Sequence, residues 1–139
     1  MNSIEHKHFN PSLCISNKVR QVNRVIANIY RKYLSPFQIT DSQLTILFVL
    51  TKKGKLPQKD ICRGLHLEKS SLNRNLNRLV ARGLISKVDF PFVQMTDAGI
   101  ELVNAIIPEW EKALKETEEL LNQDGVLAVD LLTQKIQRS

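Results

Sequence analysis

Between residues 67 and 85 the chain reads LEKSSLNRNLNRLVARGLI, in which leucines alternate with serines, asparagines and arginines and no carboxylate follows Glu68. These polar types share one chemistry. An arginine can bridge guanine O6 and N7, an asparagine can bridge adenine N6 and N7, and a serine can meet a phosphate or a base edge. Ordinary solvation would be met by glutamates and lysines. On a helix turning about 100° per residue, Leu72, Leu76, Leu79 and Val80 gather on a core side. Ser70, Ser71, Arg74, Asn77 and Arg78 then face outward, with Asn73 and Asn75 on the flanks. The candidate contacts to nucleic acid are Lys69, Ser70, Ser71, Asn73, Arg74, Asn77 and Arg78, together with Lys87 just beyond the stretch. The simpler alternative is a solvated basic face with no partner.

The charge distribution bears on that choice. The net charge of +6 is the resultant of +4 in residues 1–51, +8 in 52–87, −1 in 88–96 and −5 in 97–139. Such segregation aims a positive field from the middle of the chain, as a polyanion-binding surface requires. Other classes find little support. There is no glycine-rich phosphate loop, and His6, His8 and His66 have no evident nucleophile or carboxylate partner, so no catalytic residues are assigned. Cys14 and Cys62 lack the spacing of a zinc site or a disulfide framework, so neither a metal nor a cofactor is expected. The longest apolar run, Ile46 to Leu50, is too short to span a bilayer, and MNSIEHKHFN lacks the apolar segment of a secretory signal. The expected location is the cytoplasm, away from any membrane.

The elements that must position the polar face follow from periodicity and punctuation. Ser12 can cap a first helix whose Ile15, Val19, Val22, Ile26, Ile29 and Tyr33 step by four and three, a seam at coiled-coil period, ending near Ser35-Pro36. Thr40 with Gln43 forms a capping box for a largely buried helix from Ser42 to about Lys53, stopped by Gly54. Pro57 suits the first turn of a short helix carrying Ile61 and Cys62 and ending around Gly64. A turn through Leu65, His66 and Leu67 leads into the opening stretch. A short helix, a tight turn and a helix with this outer face make a helix-turn-helix, whose second helix can lie in the major groove.

After Gly83, Leu84-Ile85 begins a strand and Val93-Gln94-Met95 its return, with Phe90-Pro91-Phe92 near the turn, which together read as a wing. Thr96 and Asp97 can cap a long helix to about Leu121 with apolar Val103, Ile106, Ile107, Trp110, Leu114, Thr117 and Leu121, kinked at Pro108. Asn122 to Gly125 breaks the pattern, and Leu127, Leu131, Leu132 and Ile136 mark a last amphipathic helix. Seams at both chain ends ask for a partner or for each other, because so small a domain has little with which to cover them.

The run PQKDICRGLHLEKSSLNRNLNRLVARGLISK, followed by QMTDAG, resembles the MarR family of bacterial transcriptional regulators. There a leucine-framed recognition helix ends in a basic residue and GLI, and the wing ends in a leucine-threonine-x-x-glycine motif. The resemblance covers almost the whole chain. It implies a mainly α fold, a winged helix-turn-helix with long N- and C-terminal dimerisation helices: residues 1–36 for the first, 37–96 for the DNA-binding region and 97–139 for the last, in one compact domain. It further implies a homodimer in which each subunit reads half of a palindromic operator in double-stranded DNA through helix 68–82. A small-molecule effector is the further partner it implies. Val19, Val22, Ile26, Ile29, Trp110, Leu114 and Leu131 are the expected dimerisation residues.

Two departures qualify the match. Family members usually carry a longer wing with an Asp-x-Arg-Arg-like segment whose arginine enters the minor groove, whereas only SKVDFPFVQ lies between Ile85 and Met95. Lys87 is its nearest cation, which leaves affinity to the helix and to phosphate contacts from Lys52, Lys53, Lys55, Lys59 or Lys69. Peroxide-sensing members also carry a reactive cysteine in a leucine-cysteine context like Leu13-Cys14, where a helix N-terminus and Lys18 would favour a thiolate. The accompanying tyrosines are missing, with Lys18 and Asn28 at about their places, which favours an incidental cysteine over a redox sensor. The rival to a DNA-binding repressor is a winged-helix protein-interaction module whose short wing is a relic.

Overall fold

A computed structural model describes residues 2–65 and 67–137. In chain order the elements are α1 (Ile15–Leu34), α2 (Asp41–Lys53), β1 (Leu56–Pro57), α3 (Gln58–Leu65), α4 (Lys69–Ala81), β2 (Ile85–Ser86), β3 (Phe92–Met95) and α5 (Asp97–Gln137). They form two compact units, one of Tyr33–Lys112 and the other of Met1–Lys32 with Ala113–Ser139.

The first unit is built around one apolar cluster. Ile46, Leu47 and Leu50 of α2 meet Ile61 of α3, Leu72, Leu76 and Leu79 of α4, and Leu84, Ile85, Val93 and Val103. The leucine spacing of the opening stretch thus buries the expected side, except that Val80 stays 39% exposed at its margin. Helix α2 starts as the sequence requires. The Thr40 hydroxyl accepts from the Gln43 N–H at 3.2 Å while the Gln43 amide oxygen accepts from the Thr40 N–H at 3.3 Å, which satisfies an otherwise costly buried glutamine. At its far end the Gly54 N–H donates to the Leu50 carbonyl at 2.8 Å.

The strands make a small antiparallel sheet in the order β1-β3-β2, with Leu56 opposite Val93 and Ile85 opposite Met95. Strand β1 is absent from the sequence reading, which assigned Pro57 to the first turn of a helix. Two residues give no periodicity, and Pro57 is tolerated because β1 is an edge strand, where a missing N–H costs no ladder bond. Helix α3 begins one residue later.

The threonine and glycine of QMTDAG lock the sheet to α5. The Thr96 hydroxyl donates to the Gly83 carbonyl at 2.5 Å and accepts from the Gly99 N–H at 3.1 Å, capping the helix. A Cβ on Gly99 would lie 2.1 Å from the Leu84 carbonyl oxygen, so only glycine permits this approach. Gly83 itself turns at φ 74°, where glycine alone is unstrained.

In the second unit, the helix start assigned to Ser12 is corrected. The Asn10 side chain accepts from the Ser12 N–H at 3.1 Å and caps a 3-10 turn, Pro11–Leu13, so Ser12 is consumed before α1 begins. Cys14, in extended backbone, provides the first carbonyl, which accepts from Lys18 N–H at 3.1 Å. Within α5 the residue that leaves helical dihedrals, among those described, is Asn122 (φ 59°, ψ −178°), inside the predicted break, and not Pro108. Pro108 and Asn104 are both exposed, so water can satisfy the carbonyl that the proline frees. Ala113 and Thr117 are buried, and the Thr117 hydroxyl donates to the Ala113 carbonyl at 2.8 Å. Burial raises the Tyr30 phenol above its ordinary pKa, partly offset by its hydrogen bond with Thr117. Lys32 pairs with Glu116.

Candidate nucleic-acid interface

Helix α4 presents its polar residues as a graded surface. Lys69, Ser70, Arg74, Asn77 and Arg78 are exposed, while Ser71, Asn73 and Lys87 are half-buried. Glu68 precedes the helix in extended backbone without a side-chain capping bond, next to the positive end of the helix dipole. The Arg74 guanidinium donates to the Ser71 hydroxyl at 3.2 Å, one turn back, and Lys87 donates to the Asn77 amide oxygen at 3.3 Å. The second contact joins the base of the wing to the outer face of α4. Seven of the eight residues singled out for this surface thus lie on α4, and the eighth, Lys87, reaches it through Asn77.

Among the described residues, neighbouring cations divide into exposed and committed. Lys52, Lys53 and Lys59 are exposed on α2 and α3. Lys55, by contrast, pairs with Asp89 of the wing and stands 5.2 Å from the centre of the Phe92 ring. Arg82, the basic residue before Gly83, donates to the Gln38 and Phe37 carbonyls at 2.8 and 3.3 Å, and so fastens the end of α4 to the segment after α1. Its role is structural.

The wing turn carries apolar side chains outward, with Val88 94% and Phe90 73% exposed. Beneath Phe90 and Pro91 a cleft of about 470 Å³, with Lys59 and Lys69 also in its lining, separates the wing from the start of α4. Gln58, which sequence reasoning passed over, sits at this junction. Its backbone N–H donates to the Pro91 carbonyl at 3.0 Å and its side-chain amide donates to the Asn73 amide oxygen. A polar residue right after Pro57, at the start of a helix, was the available signal.

Cys62 is half-buried on α3 and donates its thiol to the Leu67 carbonyl at 2.9 Å, tying the helix to the segment that precedes α4. His66, named in the expected turn, lies outside the described residues. Cys14 is exposed. Of the residues expected at a dimer seam, Val19, Val22 and Leu131 are exposed and Ile26, Ile29 and Leu114 half-buried, while Trp110 meets Phe48 edge-on with ring centres 5.4 Å apart.

A short helix, a connection, a second helix with an exposed polar face and a two-stranded wing define a winged helix-turn-helix protein. Residues 37–91 match the family model described as MarR family. An uncharacterized HTH-type transcriptional regulator of Bacillus subtilis strain 168, YhbI, is 26% identical over 110 residues, covering 75% of this chain and 67% of YhbI. The multiple antibiotic resistance protein MarR of Salmonella typhimurium is 24% identical over 135 residues, 92% of this chain and 94% of MarR. The chain spans about half to two thirds of the length of the Bacillus relatives it matches. Two solved structures share the fold. One, reported for regulation of DNA binding of Bordetella bronchiseptica BpsR by 6-hydroxynicotinic acid, superposes with a TM-score of 0.81 at 21% identity over 94% of this chain and 98% of that one. The other, a cysteine-to-serine mutant of MarR from E. coli complexed with operator DNA, superposes with a TM-score of 0.78 at 21% identity over the same shares. Over residues 37–91 the chain is thus similar to the MarR family of transcriptional regulators.

Proposed function

We propose that the chain acts in the cytoplasm as a homodimeric repressor that reads a palindromic operator with α4 in the major groove. The observation that carries this reading is the outer face of α4, where Ser70, Arg74, Asn77 and Arg78 stand exposed with Lys69 and Lys87 at its ends and no carboxylate among them. Arg74, nearer the N-terminal half of the helix, reads bases together with Ser70 and Asn73. Arg78 and Lys69 hold phosphates. Dimerisation is supported by the exposed apolar residues of both chain ends, among them Val19, Val22, Leu131 and Ile136. A small-molecule effector is supported by BpsR, whose DNA binding is regulated by 6-hydroxynicotinic acid.

The exposed, arginine-free wing favours one rival, a winged-helix module that binds protein. Titrating salt against a labelled duplex from the DNA beside the gene separates the two. A repressor of this design binds as a dimer, and the logarithm of its affinity falls linearly with the logarithm of salt concentration. Absence of duplex binding at low salt favours the module.

A further inference from the structure

We infer that Gln58 is a specificity-positioning residue: by holding the oxygen end of the Asn73 amide it disfavours the two-point contact that selects adenine and presents the amide nitrogen to the DNA as a donor. The inference rests on the proposed DNA-reading function and specifies how one position of the reading face works. A bidentate asparagine–adenine pair needs the amide oxygen to accept from N6 and the amide nitrogen to donate to N7. In this structure the Gln58 Nε2 donates to the Asn73 Oδ1, which ties the oxygen end of the amide to Gln58 and leaves it a single lone pair. Among the described residues no side chain takes the Asn73 Nδ2, which is left to donate. A donor alone finds two adjacent acceptors on guanine, O6 and N7, and one on thymine, O4, whereas on adenine it gains N7 but faces the N6 amino group, itself a donor.

The arrangement is held from both sides. Gln58 is the first residue of α3, and its backbone N–H is fixed to the Pro91 carbonyl of the wing at 3.0 Å, so the amide approaches α4 from an anchored position. Both side chains are half-buried, which limits the alternatives either can adopt. Glutamine can donate to Asn73 or accept from it, and a carboxylate can only accept. Gln58→Glu therefore turns the Asn73 nitrogen inward and leaves its oxygen outward, a partner for the amino groups of adenine or cytosine. Gln58→Ala frees both ends and restores the adenine pair.

The test is selection from a randomised duplex library by the full-length protein, sequencing bound DNA for the natural chain, Gln58→Ala, Gln58→Glu and Asn73→Ala. At the one base pair whose preference Asn73→Ala erases, the natural chain should favour guanine or thymine, Gln58→Ala should move the preference towards adenine by about tenfold, and Gln58→Glu towards adenine or cytosine. The other operator positions should keep their preferences, which a general loss of fold would not produce. If the natural chain selects an operator but neither Gln58 variant changes that base pair, or if the natural chain already prefers adenine there, the inference is overturned while DNA reading stands. If the natural chain selects no sequence at all, the proposed function fails with it.

Discussion

The two compact units solve the same problem in opposite ways. In Tyr33–Lys112 the leucines of α2 and α4 close on one another and on the sheet, leaving Leu47, Leu76 and Leu79 with no exposed surface. In the unit of both chain ends the seam residues Val19 and Val22 remain 54% and 49% exposed, and Leu127, Leu132 and Ile136 are more open still. Monomeric proteins rarely leave large contiguous apolar surfaces open, so the first unit has finished its packing, and the open residues of the second are those that the proposed dimer would cover. On that proposal, stability and assembly belong to different parts of one chain.

The largest effect expected from that contrast is in the closed core. Leu76→Ala removes a fully buried side chain at the crossing of α4 with α2 and should cost about 2–5 kcal/mol by denaturant unfolding. A loss below about 1 kcal/mol would mean that the winged unit is not tightly packed.

At the open seam the effect should instead fall on assembly. Val19→Glu combined with Val22→Glu should weaken dimerisation by at least roughly tenfold in sedimentation equilibrium, because two charges would be buried without partners. A natural chain that sediments as a folded monomer at micromolar concentration would remove the basis of the comparison.

Smaller again is the contribution of the wing. Lys55 and Asp89 are largely exposed, so Lys55→Ala should change stability by less than about 1 kcal/mol. It should barely alter DNA affinity, because the ammonium is committed to Asp89. A loss of affinity comparable to that of Lys59→Ala would show that Lys55 leaves its partner to bind phosphate.

The smallest effect concerns Cys14. With Lys18 and Asn28 where sensor tyrosines would stand, Cys14→Ser should bind DNA like the natural chain, and organic hydroperoxide should release neither. Release of the natural chain alone would restore Cys14 as a sensor.

What was legible in the sequence follows the same division. The α2 capping box, the leucine side of α4, the Thr96 cap and the break near Asn122 could be read because each is a local signal, a spacing or a capping residue within a few positions. Strand β1 was not legible, since two residues containing a proline pair with β3 only through tertiary contact. The start of α1 was misplaced because Ser12 and Asn10 are both good caps and the proline after Asn10 decides between them. At the candidate site, periodicity identified which residues face outward. It could not show that Lys55 is neutralised by Asp89, that Arg82 is a fastener, or that Gln58 holds Asn73, for these depend on residues brought together from distant positions.

The central claim is that the outer face of α4 reads DNA, and the most direct measurement compares Arg74→Ala with Arg78→Ala on the preferred operator and on random duplex. Arg74→Ala should cost about 1–3 kcal/mol on the operator and much less on random DNA, whereas Arg78→Ala should weaken both equally and lower the salt dependence by about one phosphate contact. Negligible losses for both variants, in protein that remains folded and dimeric, would contradict the claim.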